Sequence, residues 1–143
     1  MHLIEKALFI ALEAHKGQVD KAGKPYILHP LRLMMSLDDE VEMIAALLHD
    51  VIEDSDITEE DLMKAGIPVE SIEIIGYLTK QAGESYDDFI KRISAHKKAS
   101  RVKIKDIEDN MTISRLETLG EADLTRLAKY HKSLKFLQSL QFG

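Results

Sequence analysis

Apolar residues return every three or four positions along nearly the whole chain, and the strict alternation of a half-buried strand is scarce. Leu3, Ala7, Leu8, Ala11 and Leu12 trace one face of a first helix, which Gly17 should close. Gln18 to Pro25 carries no such period and reads as a loop. In Tyr26-Ile27-Leu28-His29-Pro30 the proline suits the first position of a helix running through Met35. A central helix is expected over roughly Glu40 to Ile52. Thr58 before Glu59-Glu60-Asp61 is an N-cap with an acidic first turn, opening a short helix that stops at Gly66. Later helices are expected from near Pro68 to Leu78, from Glu84-Ser85-Tyr86 to just before His96, from about Lys98 through Ile113, and from Glu121 to Leu140. The last carries Leu124, Leu127, Ala128, His131, Leu134 and Leu137 along one stripe. No repeat, low-complexity stretch or long linker divides them, so residues 1–143 are expected to form one compact all-α domain.

Composition narrows the function. Hydrophobic content of 45% supports a real core, and a net charge of −6 argues against a general nucleic-acid binder. Cysteine is absent, which removes disulfides, thiolate metal sites and a cysteine nucleophile. Any metal must be held by His and carboxylate. The first residues are amphipathic and no apolar stretch approaches membrane-spanning length, so a cytoplasmic protein with no membrane partner is the default expectation. Oligomeric state is left open.

Three polar intrusions stand out against the apolar pattern. His49-Asp50 ends the run Met43-Ile44-Ala45-Ala46-Leu47-Leu48 and continues into Val51-Ile52-Glu53-Asp54. At helical spacing Glu53 stands over His49 and Asp54 over Asp50. Asp106 and Asn110 fall in line with Ala99, Val102 and Ile113, so a stripe that should be apolar carries a carboxylate and an amide. His29 precedes a proline, which pushes it out of the helical region at the mouth of the next helix. Taken singly, these residues also fit a solvated helix end, an internal salt bridge from Asp106 to Lys103 or Arg115, and a capping or core histidine. Taken together, His29, His49, Asp50 and Asp106 make a two-His, two-carboxylate set. Such a set suits a divalent ion such as Mn²⁺, Fe²⁺ or Zn²⁺, with coordination positions left for water and substrate.

The runs Ala14-His15-Lys16-Gly17-Gln18, Gly23 to Pro30 and Ala46 to Asp54, followed by Val102 to Met111, resemble the hydrolase domain of the Rel/SpoT stringent-response enzymes, members of the HD superfamily of metal-dependent phosphohydrolases. The resemblance spans about residues 5 to 116. It implies an HD-type helical bundle that removes the 3′-pyrophosphate from guanosine tetra- and pentaphosphate. It further implies that His29, His49, Asp50 and Asp106 bind one divalent ion, usually Mn²⁺, with Ni²⁺ as a purification-derived substitute. Glu53 and Asp54 would orient and activate the attacking water. Lys21 would lie near the substrate, and Asn110 would contact ribose or base. The partner is then a small-molecule nucleotide.

Departures from the family pattern bear on the base. Asp20 stands where the family usually has an Arg placed against guanine, Asp109 replaces a His, and Thr112 replaces an Arg. With 143 residues there is no room for a synthetase or regulatory region, so a stand-alone hydrolase is expected. The alternatives are a phosphatase acting on another nucleotide such as NADPH, and a non-catalytic nucleotide-binding module. Lys80 and Tyr86 flank a glycine-containing loop that could close over substrate. Lys97, Lys98, Arg101, Lys103 and Lys105 form a basic cluster better read as a solvated helix face than as a phosphate guide. His15, His96 and His131 read as structural or surface residues, and Met34, Met35 and Met43 as core.

Overall fold

A computed structural model describes residues 1–141. The described residues form α1 (Leu3–Ala14), α2 (Leu28–Met35), α3 (Glu40–Leu48), α4 (Val51–Asp54), α5 (Glu59–Lys64), α6 (Val69–Leu78), α7 (Tyr86–Ser94), α8 (Lys97–Asn110) and α9 (Glu121–Gln141), with a 3-10 turn at Ile113–Arg115. Side chains cap the starts. The Asp39 carboxylate accepts from Glu42 N–H at α3, and Ser85 accepts from Asp88 N–H at α7. Thr58 caps α5, as the sequence predicts, and Asp61 completes a reciprocal capping box with it.

The bundle is built around α3. Ile44, Ala45, Ala46, Leu47 and Leu48 are all fully buried, which is the signature of a helix surrounded on every side. Around it pack α1, α2, α6 and α8. Ala7 and Ala11 let α1 approach closely, while Ile74, Ile75, Val102 and Ile107 close the opposite side. Glu42 is buried within α3 and is held by a bidentate Arg101 from α8 at 2.6–3.1 Å. None of the described helices is long and apolar enough to cross a membrane.

Several expected details shift. The central helix does not run unbroken to Ile52: α3 stops at Leu48, and α4 begins after a two-residue turn at His49-Asp50. Helix α2 starts two residues earlier than expected, so His29 lies in its first turn rather than outside it. Pro30 is tolerated there because N–H groups in the first turn have no acceptor within the helix. Ile113 belongs to the 3-10 turn and not to α8, which ends as Met111 N–H reaches the Ile107 carbonyl. Leu12 (46% exposed) and Met35 (77%) lie at the surface, because only a narrow face of α1 and of α2 meets α3. On α9, Ala128 and His131 are exposed, and the buried residues are Ser133, Leu134 and Leu137. This helix touches α7 and α8 at one edge of the bundle, so only its second half is covered.

Candidate metal centre and its two cavities

His49 follows directly on the buried end of α3, and the residue is 3% exposed. Nδ1 sits 2.7 Å from the Ala46 carbonyl. A carbonyl only accepts, so Nδ1 carries a proton and Nε2 is the ring nitrogen left to ligate a cation. That Nε2 is buried and makes no hydrogen bond, although Asp50 Oδ2 lies 3.0 Å away and Asp106 Oδ1 3.4 Å away. An orphaned buried nitrogen facing two carboxylates fits a divalent cation. On a continuous helix, successive side chains diverge by about 100°. The turn at positions 49–50 instead lets His49 and Asp50 face one point.

From α2, His29 brings Nε2 to 2.8 Å from Asp106 Oδ1. Ligand atoms of His29, His49 and Asp50 all lie within 4.8 Å of one another. Asp106, buried on α8, reaches both imidazoles through Oδ1, while Oδ2 accepts from Lys103 Nζ at 2.9 Å. The structure therefore brings the four expected ligand residues together. It also makes the Lys103–Asp106 ion pair that stood as the alternative reading, so one carboxylate serves both arrangements.

The charges are strongly coupled. Burial opposes ionisation of Asp106, but the Lys103 ammonium and the two imidazoles hold its carboxyl well below the usual range. Burial likewise raises Asp50, and the neighbouring His49 outweighs it, so Asp50 also falls. In turn, burial lowers His29 and His49, yet the flanking carboxylates carry both above the ordinary imidazole value.

Two cavities flank the cluster. The smaller, about 190 Å³, is lined by His49, Asp50, Glu53, Lys80, Tyr86 and Lys103, among others. Glu53 Oε1 accepts from Lys80 N–H at 2.9 Å, which ties the loop after α6 to α4. The Tyr86 hydroxyl is buried here without a hydrogen-bond partner. Asp54 is not among the residues lining either cavity. Its carboxyl is raised by burial and by Asp50. The larger cavity, about 410 Å³, has Lys21, Tyr26, His29 and Asn110 in its wall, together with Arg126 and Tyr130 from α9. Asn110 Nδ2 also donates to Asp106 Oδ1 at 3.3 Å. Burial and the nearby Arg126 both lower the Lys21 ammonium. Asp20 lines this cavity too, but its Oδ1 accepts from the N–H groups of Ala22 and Lys24, both at 2.9 Å. The carboxylate thus shapes its own loop.

One contributor was not singled out by the sequence. Tyr26 donates its hydroxyl to Asp50 Oδ2, and its position three residues before His29 was the only available signal. Lys103, read both as a salt-bridge partner of Asp106 and as part of a solvated face, is turned inward over the Phe89 ring, 5.1 Å from its centroid. Its spacing of three from Asp106 places the two on one face of α8. The remaining basic residues include Lys98 paired with Glu70, Arg101 with Glu42 and Lys105 with Glu108. His15 is buried, with Nδ1 against Gln18 Oε1 at 2.9 Å, and His96 caps α8.

Comparison with known proteins agrees with this architecture. No family model matches the chain. It is 32% identical over 136 residues to a guanosine-3′,5′-bis(diphosphate) 3′-pyrophosphohydrolase of Aquifex aeolicus, covering 88% of this chain and 19% of that protein. A protein of the same name from Haemophilus influenzae is 36% identical over 124 residues, covering 78% of this chain and 18% of the relative. The chain thus spans about a fifth of the length of these curated relatives. Among solved structures, one described as a metazoan ortholog of SpoT that hydrolyzes ppGpp superposes with a TM-score of 0.78 at 20% identity, covering 99% of this chain and 91% of that one. That likeness establishes the fold.

Proposed function

We propose that this chain, a Rel/SpoT-like domain of the HD superfamily in sequence and fold, is a metal-dependent pyrophosphohydrolase that removes the 3′-pyrophosphate of guanosine tetra- or pentaphosphate. The observation that carries the reading is the orphaned His49 Nε2, buried and facing Asp50 and Asp106. In this reading His29, His49, Asp50 and Asp106 hold one Mn²⁺. A divalent ion bound there supplies Lewis acidity toward water and phosphorus, which is why no nucleophilic side chain is required. Glu53 accepts the proton of the attacking water, fixed by its bond to Lys80 N–H, and Asp54 assists from the adjoining position. The nucleoside occupies the larger cavity against Lys21 and Asn110, and Lys80 and Tyr86 bound the smaller one.

A second reading changes only the substrate, and Asp20 favours it. The residue that would usually supply a guanidinium is a carboxylate bonded into its own loop, so base choice is relaxed and another phosphorylated nucleotide, such as NADPH, is accepted. Incubating metal-reconstituted protein with guanosine tetraphosphate, the adenosine counterpart and NADPH, with products separated by chromatography, decides between them. Pyrophosphate released from the guanosine compound, and suppressed by a chelator, is the expected result. Metal-loaded protein that turns over none of the three is a binding module, and the enzymatic reading falls.

A further inference from the structure

Asp109 lies outside the four residues proposed as ligands, yet its carboxylate takes four donors from three residues. His29 Nδ1 lies 2.6 Å from Oδ2 and Arg32 Nη2 2.9 Å from the same oxygen. Arg32 Nε and Arg115 Nη2 reach Oδ1 at 2.8 and 3.2 Å. Arg115 also donates to the Asp109 backbone carbonyl at 2.7 Å. The Asp109 side chain is itself only 12% exposed. An ionised carboxylate has no proton to give. His29 must therefore keep a proton on Nδ1, so Nε2, aimed at Asp106 and the centre shared with His49, is the nitrogen left to ligate a cation once its own proton is displaced.

We propose that Asp109 is the positioning residue of the metal centre, with Arg32 and Arg115 locking a carboxylate that fixes both the tautomer and the ring plane of His29. The inference rests on a cation binding at this centre and deepens that reading by naming what orients one of its ligands. Carboxylate–histidine pairs of this kind raise the basicity of a metal-binding imidazole and hold its ring in the ligating orientation. A purely structural alternative exists: the same carboxylate ties α2 to α8 through Arg32.

Metal affinity separates the two roles. Dissociation constants for Mn²⁺ and Zn²⁺, measured by competition with a chromophoric chelator, are compared in wild type, Asp109→Asn and Arg32→Met, alongside thermal unfolding of each metal-free protein. Asp109→Asn keeps the shape and removes the anion. It should weaken metal binding roughly 10- to 100-fold. Arg32→Met breaks the same tie between α2 and α8 while sparing the contact to His29, so it should lower metal-free stability with a much smaller loss of metal. Asp109→Glu should restore part of the affinity. If Asp109→Asn binds metal within twofold of wild type, or loses no more than Arg32→Met, the positioning role is overturned. Wild type that binds neither metal would instead overturn the metal reading itself.

Discussion

Asp106 shows how much one residue can carry. Its two oxygens meet His29, His49, Asn110 and Lys103, all on the inner side of α8 or facing it. Asp106→Ala should abolish metal retention in elemental analysis. It should also destabilise the protein by about 3–5 kcal/mol in urea unfolding, because it strands the Lys103 ammonium in an apolar setting. Adding Lys103→Met should recover much of that stability and none of the metal. A double variant no more stable than the single one would show that Lys103 is not what Asp106 holds. For the proposed proton acceptors, Glu53→Gln should lower turnover by roughly 10² to 10⁴ with metal content unchanged. Asp54→Asn should do less, since Glu53 lines the cavity and Asp54 does not. Equal turnover in wild type and Glu53→Gln would remove Glu53 from the chemistry.

Among the elements, the most consequential is the turn that parts α3 from α4. Sequence periodicity runs straight through it, because the apolar pattern of Val51 and Ile52 continues in phase. The interruption comes from tertiary demands on His49 and Asp50, which no local propensity encodes. Starts fixed by side chains, such as Thr58 and Ser85, were legible, as was the apolar register of α3 and α6. The polar intrusions at His29, His49, Asp50 and Asp106 were legible because each contradicts an apolar stripe. Tyr26 contradicts nothing, so a turn concealed it, whereas Lys103 was legible as a partner of Asp106 though not as a wall of the cavity. The loop after α6 has its own latch. Arg92 bonds Glu84 and the Thr79 carbonyl, and Glu84 accepts from Gln81 N–H. Arg92 holds the Glu84 carboxyl down at about 2. A depressed carboxyl stabilises above its ordinary value of 4.5 and loses that contribution as pH falls through about 2. Protection of the Gln81 amide against hydrogen exchange should therefore decline across that acid window. Arg92→Met should lower it already at neutral pH; unchanged protection in that variant would show the loop held elsewhere.

Over the whole molecule, protons and a divalent ion compete for the same imidazoles. With His29 and His49 raised by their carboxylates, the metal-free protein keeps that stabilisation below the ordinary imidazole value of 6.5 and loses it as pH rises through the folded values. Binding a cation must displace those protons. The gap in melting temperature between metal-saturated and metal-free protein should widen from pH 6 to 8, and a gap that narrows would contradict ligation by these two rings. The arginines of the larger cavity carry a different consequence. Arg32 and Arg115 share the one Asp109 carboxylate, Arg126 is paired with Asp123, and Lys21 and Asp20 stand in the same wall. An anion approaching a molecule of net charge −6 therefore meets a nearly neutral wall. Its capture owes little to long-range steering and much to contacts made at van der Waals range, so association should vary only weakly with ionic strength.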